Sequence, residues 1–286
     1  MSTPERHPRN SPGKWYVDTR CIDCTASRTV APGLIVARGG QSVFARQPAT
    51  PEERLQAWRA RLVCPTASVR TEEHEDVPAG VFPEAITDGV FRLGYNARSS
   101  YGAHSFLVRR PAGNVMVDAP RWTRAVVAPL EGWGGLSDIL LTHRDDVGDA
   151  GRYASHFGAR VWIHEADRDA APFADGIITG NDPVAIHDDL LAIPVPGHTE
   201  GSVAYLHGQR CLFTGDTLAW SFERSDLTAW REVCWWSWPD QLSSLRRLLD
   251  HRFEWVFAGH GGSHRLAPEE MKVRLAALLA RLETVT

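Results

Sequence analysis

From Gly89 onward, apolar residues come in short runs separated by Gly, Pro, Asn and Asp, a pattern that predicts strands joined by turns. VFRLG (90–94), HSFLVRR (104–110) and NVMVDA (114–119) predict three strands, with a Pro-Ala-Gly turn between the last two. SDILLT (137–142), ARVWIH (159–164), LLAIPV (190–195), SVAYL (202–206), RCLFT (210–214) and EWVFAG (254–259) predict six more. Helical spacing takes over from Gly148 to Phe157, where Gly158 stops it. It returns from Pro239 to Leu249, with Leu242, Leu245, Leu248 and Leu249 on one stripe, and from Pro268 to Leu282, with Pro in the first turn. Runs of strands with helices between them fit an α+β class, two sheets covered by helices on their outer faces.

The first 88 residues read differently. Residues 1–13 are rich in Pro, Ser and charge and are expected to be disordered. Residues 14–70 form a small module, 71–88 (TEEHEDVPAGVFPEAITD) a linker, and 89–286 the main domain. Charge divides along the same line. Residues 1–70 hold 11 Lys and Arg against 5 Asp and Glu, and the remainder holds 20 against 30. A basic module on an acidic body implies mutual docking, or an anionic group inside the module. The basic residues are scattered and the body repels phosphate, so no nucleic-acid partner is expected. Hydrophobic content of 43% is ordinary for a soluble protein. No apolar run reaches the ~18 residues that span a bilayer. MSTPERHPRNSPGKW lacks the apolar core of a secretory signal. The expectation is a cytoplasmic chain without membrane contact.

Several strands end on the same design. LLT ends at His143, VPG at His198, LFTG at Asp216 and VFAG at His260. Each potential ligand follows an apolar run and sits beside glycine or another small residue, which permits a sharp turn and close backbone approach. Any one of these residues alone reads as a cap or a surface group. Together, three histidines and several carboxylates at strand ends suit Zn²⁺ or Fe²⁺. The loop LLTHRDDVGDAG (140–151) adds Asp145, Asp146 and Asp149, as ligands, proton acceptors or a helix cap.

The order of these motifs (a T-H loop, then G-H-T, G-D-T and G-H-G, with Asp118 ending an early strand) resembles the metallo-β-lactamase superfamily over residues 88–286. The resemblance implies an αββα sandwich with a metal site at one edge. The superfamily's first motif is H-x-H-x-D-H. Here His143 keeps the first His, while Asp145, Val147 and Gly148 stand where the other three ligands belong. What the resemblance then implies is one tightly held ion on His143, His198 and Asp216, with Asp145 and His260 as further candidates. Asp145 or Asp149 would accept a proton, and His260 would polarise a substrate oxygen. Persulfide dioxygenases of the same superfamily are similar in using such a triad on one iron.

CIDCTASRTVAP (21–32), with Cys64-Pro65, resembles the cluster loop of a single-cluster ferredoxin over residues 14–70. Cys21, Cys24 and Cys64 match, and Ser27 stands where the remaining Cys belongs. A [4Fe–4S] cluster wants four thiolates. A cluster with a Ser or external ligand, a labile cluster, and a module that keeps the fold without iron all remain open. The five cysteines are an odd number, which argues against a disulfide framework. Cys211 and Cys234 lie in apolar or Trp-rich surroundings and read as buried small hydrophobes.

LTAWREVCWWSWPDQLSSLRRLL (227–249) carries Trp230, Trp235, Trp236 and Trp238, which would either stack on a substrate or anchor the following helix. Three readings of function follow. The leading one is a metallohydrolase acting on a small-molecule ester, thioester, lactone or amide. The second is a mononuclear non-haem iron oxidoreductase fed electrons by the module, with an electron-transfer partner. The third is a non-catalytic scaffold whose metal sites have decayed.

Overall fold

Strand β1 (Trp15–Val17), helix α1 (Ala26–Val30), strands β2 (Ile35–Ala37) and β3 (Ser42–Phe44), helix α2 (Pro51–Val63) and strand β4 (Val69–Thr71) build the N-terminal unit. They are seen in a computed structural model that describes residues 4–72 and 76–284. β1 pairs with β4 and β2 with β3, both antiparallel. α2 starts where local chemistry favours a helix. Thr50 Oγ1 accepts the Glu53 amide, the Glu53 carboxylate accepts the Thr50 amide, and Pro51 occupies the first turn. Trp15, Phe44 and Trp58 fill the core, with Trp15 edge-on to Trp58 at 5.3 Å between ring centroids.

Two expectations are corrected here. Residues 4–13 are ordered rather than disordered. Asn10 Oδ1 accepts the Val17 and Phe44 amides while its Nδ2 donates to the His7 and Val17 carbonyls, so one side chain satisfies four backbone groups. Residues 1–3 of that segment lie outside the described residues. The span expected to be a linker ends in strand β5 (Glu84–Thr87), and its Val81 is buried in the N-terminal core. Residues 73–75 of it lie outside the described residues.

The body continues with β6 (Val90–Arg92), β7 (Phe106–Val108), β8 (Val115–Val117), α3 (Arg124–Gly132), β9 (Asp138–Leu140), α4 (Ala150–Phe157), β10 (Arg160–His164) and β11 (Gly176–Ile178). These strands form one seven-stranded sheet in the order β11-β10-β9-β8-β7-β6-β5. Then come β12 (Val184–His187), β13 (Leu190–Pro194), β14 (Val203–His207), β15 (Cys211–Gly215), the hairpin β16 (Ala219–Ser221) and β17 (Asp226–Thr228), α5 (Trp238–Leu248), β18 (Trp255–Ala258), β19 (His264–Arg265) and α6 (Pro268–Glu283). The second sheet runs β12-β13-β14-β15-β18-β19.

Alternation along each strand decides the layering. Phe106, Val108, Val115 and Val117 of the first sheet meet Tyr205, Cys211, Phe213 and Phe257 of the second in one buried cluster between the sheets. The intervening Leu107 and Met116 face outward onto Val126 and Leu130 of α3 and Tyr153 of α4. Leu212 and Val256 face outward onto Leu242 and Leu245 of α5 and Leu275 of α6. The result is helix, sheet, sheet, helix, as the sequence implied. Cys211 lies in the inter-sheet core, and half-buried Cys234 donates from Sγ to the Gly197 carbonyl at 3.0 Å. Among the described residues no helix is long and apolar enough to cross a membrane.

A charged staple joins the N-terminal unit to the body. Glu84 takes Arg59 of α2 on one oxygen at 3.0 Å and Arg92 of β6 on the other at 2.5 Å, with Arg92 only 7% exposed. Removing the acid strands a buried guanidinium. Glu84→Ala is expected to lower stability by about 3–5 kcal/mol, read from the urea midpoint, whereas a change under 1 kcal/mol would show that the staple is dispensable.

Candidate metal centre

Five residues meet at one edge of the sandwich because each follows a strand. β9 delivers His143, Asp145 and Asp146, β13 delivers His198, and β15 delivers Asp216. The Nε2 atoms of His143 and His198 lie 3.8 and 3.6 Å from Asp216 Oδ2, and one donor atom from each of the three residues falls within 4.8 Å of the others. His143 and His198 are 1% and 3% exposed. Their Nε2 atoms, together with Asp216 Oδ1, are buried and have no hydrogen-bond partner. Buried polar atoms are almost always paired. Two imidazole nitrogens without partners, both facing Asp216 Oδ2, fit a cation.

The glycines of the motifs are required by contact. A β-carbon on Gly215 would lie 2.6 Å from Thr142 Oγ1. One on Gly259 would lie 2.8 Å from Asp146 Oδ2 and 2.9 Å from Asp216 Oδ1.

A second layer of bonds orients the triad. Thr142 Oγ1 donates to Asp118, 2.9 Å from Oδ2. Having given its one proton, the hydroxyl accepts from His143 Nδ1 at 3.0 Å. That sets the His143 tautomer, with the Nε2 lone pair facing Asp216. Asp118 itself sits at φ 52°, a left-handed conformation for a non-glycine residue. Asp167 ties two motif loops together, accepting the Thr199 hydroxyl at 2.6 Å and the Arg144 amide at 3.0 Å. Asp167 was not anticipated from sequence, since an Asp in EADRDA carries no distinguishing spacing.

Charge is distributed unevenly. Burial pushes His143 down to about 4, so it is neutral and can act as a ligand at neutral pH. Burial lowers His198 too, but the Asp145 carboxylate 3.6 Å away and the Asp216 charge outweigh it and leave it raised. Asp145 is lowered, chiefly by His198. Burial raises Asp216, and the three imidazoles of His260, His143 and His198 more than reverse this. Asp146 is fully buried beside Asp216 and is raised well above the usual carboxylate range. Burial pushes Asp118 up to about 8, against the opposing Thr142 hydrogen bonds.

The remaining sequence candidates separate. Asp145 Oδ2 lies 3.6 Å from His198 Nε2, with its side chain half exposed to the cavity. His260 Nε2 lies 4.0 Å from Asp216 Oδ2, at the margin of the triad. Asp149, expected as a proton acceptor, is not brought to the triad. Its Oδ2 takes the Trp122 amide at 2.5 Å, and it is outside the cavity lining. Trp230 and Trp235 line the cavity. Trp236 does not. It lines a separate cavity of about 720 Å³ beside His164 and Arg247. Trp238 is buried in the core beneath α5. Tyr101 and Glu232, which the sequence did not single out, also line the main cavity.

The N-terminal unit reaches this site. His260 Nδ1 donates to the Cys24 carbonyl at 3.4 Å, and the Tyr101 hydroxyl donates to the Ile22 carbonyl. Cys21, Cys24 and Cys64 each accept a backbone amide on sulfur, from Ser42, Ala26 and Ser68. Burial pushes Cys24 up to about 12, with Cys64 and Cys21 adding repulsion. Amides aimed at three neighbouring thiols fit an iron–sulfur group, which would supply the positive charge that three thiolates need. Ser27 is buried in α1.

The two-sheet sandwich with helices outside is the fold seen in metallo-β-lactamases, and the His-His-Asp cluster sits at one of its edges. Known structures agree on the fold. VMB-1 is 15% identical with a TM-score of 0.54, covering 71% of this chain and 96% of that protein. DIM-1 metallo-β-lactamase is 16% identical with a TM-score of 0.51, covering 71% and 97%. Among curated relatives, a hydroxyacylglutathione hydrolase of Acidiphilium cryptum is 34% identical over 119 residues, 40% of this chain and 49% of its own. That of Fuscovulum blasticum is 38% identical over 108 residues, 36% of this chain and 42% of its own. The chain thus spans about half the length of the curated relatives it matches. Residues 17–71 match the family described as the 4Fe-4S single cluster domain of Ferredoxin I.

Thr142→Val keeps the shape of the side chain and the amide bond to Asp118 but removes the hydroxyl's bonds to Asp118 and His143. Ion affinity is expected to fall about 10–100-fold in a chelator competition, and unchanged affinity would show that the Thr142 hydroxyl does not orient His143.

Proposed function

We propose that the chain is a metallohydrolase with one catalytic ion, Zn²⁺ or Fe²⁺, held by His143, His198 and Asp216. Its target is the carbonyl of an ester, thioester, lactone or amide. The observation that carries this reading is the convergence of the three residues, with the Nε2 atoms of both histidines buried and unpartnered against the Asp216 carboxylate. Two imidazoles and one carboxylate leave positions open for water and substrate. A divalent ion held there supplies a water whose pKa falls from 15.7 to roughly 7.

The chain's own groups do the rest. Asp145 is ionised and half exposed, so its carboxylate accepts the proton released as water attacks. His260 donates a hydrogen bond from Nδ1 to the Cys24 carbonyl, so in the neutral ring its Nε2 carries the lone pair. It therefore accepts a proton or joins the ligand set, and it polarises a leaving group only as imidazolium. Burial and the neighbouring carboxylates, Asp216 first among them, oppose ionisation of Asp146.

In the same reading, residues 14–70 form a ferredoxin-like module and 89–286 the hydrolase body. Cys21, Cys24 and Cys64 hold a [4Fe–4S] or related cluster, with Ser27 or an external group in the remaining position. A mononuclear iron oxidoreductase is the second reading, favoured by the contact of the Cys24 carbonyl with His260. It adds an electron-transfer partner to the small-molecule substrate.

His143→Ala and Asp216→Ala are expected to lose both the ion and hydrolysis in anaerobically purified protein. Full metal content in either variant would disprove the ligand assignment. Iron and sulfide quantification with visible spectroscopy on the same sample reports on the cluster. Zinc alone, with no cluster after anaerobic reconstitution, would eliminate the redox reading.

A further inference from the structure

The cavity over the triad measures about 740 Å³, and three separate stretches of chain wall it. They are the Asp23–Thr25 loop of the N-terminal unit, the Ser99–Tyr101 loop before β7, and residues between Trp230 and Trp235 after β17. Two aromatic rings bracket the centre. Tyr101 lies 6.1 Å from His260 and Trp235 lies 6.3 Å from His198, centroid to centroid. Both are large and open to solvent, at 54% and 67% exposure. Trp230 closes the floor against the G-H-G loop, where a β-carbon on Gly261 would lie 2.9 Å from its ring. A substrate entering here meets apolar ring faces before it reaches the triad.

The charge of the wall points the same way. Asp145, Asp146 and Asp216 belong to the centre, and Asp23 and Glu232 stand farther out. Arg28 pairs with Asp23 at 2.5 Å and neutralises it. Glu232 has no ion-pair partner among the described residues. None of the fifteen described lining residues is Lys or Arg. Glutathione carries two carboxylates and one ammonium at neutral pH. A thioester of it would bring net negative charge to a wall that offers ring faces, hydroxyls and a carboxylate. Like charges in a partly desolvated cleft repel and discriminate against a ligand.

Resting on the hydrolytic reading above, we propose that the substrate is a neutral ester or thioester whose apolar or aromatic group sits between Tyr101 and Trp235. The glutathione thioesters for which the curated relatives are named are disfavoured. Water adds to the carbonyl carbon and the C–O or C–S bond breaks. The alcohol or thiol leaves carrying a proton, and the acid product ionises.

The test uses the full chain loaded with Zn²⁺ or Fe²⁺. Three probes share one chemistry: S-lactoylglutathione, S-lactoyl-N-acetylcysteamine and S-phenylacetyl-N-acetylcysteamine. The neutral lactoyl thioester is expected to exceed the glutathione one in kcat/KM by about tenfold, with the gap narrowing as salt rises. The phenylacetyl probe is expected to be best, and Tyr101→Ala or Trp235→Ala to remove its advantage over lactoyl. Glu232→Lys, at an exposed position, is expected to raise the ratio of glutathione to neutral thioester hydrolysis. Binding is read separately by tryptophan fluorescence, with S-benzylglutathione against S-benzyl-N-acetylcysteamine on both metal-free and loaded protein. Equal or better hydrolysis of the glutathione thioester, or equal binding of the two benzyl probes, would overturn the proposal. Hydrolysis of none of the three thioesters would defeat the hydrolytic reading, and the fluorescence comparison would still decide the preference of the pocket.

Discussion

Two imidazole nitrogens, buried without partners against one carboxylate, are the constraint on which the rest of this structure turns. Each unpaired buried polar group costs about 1–3 kcal/mol, so two facing one acid call for something that pairs with both. The sandwich core holds the strand ends rigidly enough to make that convergence possible. Glycines at 215 and 259 let the backbones approach. Asp118, Thr142 and Asp167 then direct the side chains, spending their own hydrogen-bonding capacity on orientation. Local strain at Asp118 is consistent with a position over-determined by its surroundings.

The N-terminal unit is part of this arrangement rather than an appendage. Its Cys24 carbonyl receives the His260 ring, its Asp23–Thr25 loop walls the cavity, and Arg59 grips the body through Glu84. Any group bound by Cys21, Cys24 and Cys64 therefore sits against the backbone that orients His260. The charge contrast visible in the sequence has a local counterpart in the Arg59–Glu84–Arg92 staple, although one of its two bases comes from the body itself.

Much of this was legible in the sequence because its signals are local and periodic. Strands with clean alternation and the three helices ending at Phe157, Leu249 and Leu282 were readable within a residue or two. The ligand-type residues were readable because each follows an apolar run and adjoins a small residue. What escaped depends on contacts between distant segments. Strand β5 lies in a polar stretch and pairs along β6, where Glu84 stands opposite Arg92 and also reaches Arg59. Order in residues 4–13 comes from Asn10 reaching Val17 and Phe44. Spacing alone could not separate Asp145, Asp146 and Asp149. After His143 a short 3₁₀ turn leaves the first half-exposed and the second buried, both at the cavity, and the Trp122 amide captures the third. Trp235 and Trp236 are neighbours in sequence and open onto different cavities, a distinction no composition argument could make.

The most direct test of a single ion on this edge is an anomalous-scattering map from crystals of the loaded protein, collected at the zinc or iron edge. One peak is predicted at this edge, with nitrogen ligands at about 2.0–2.1 Å from His143 and His198 and an oxygen ligand from Asp216. A peak lodged instead between Asp146 and His260, or none at this edge in a protein that still hydrolyses its substrate, would contradict it.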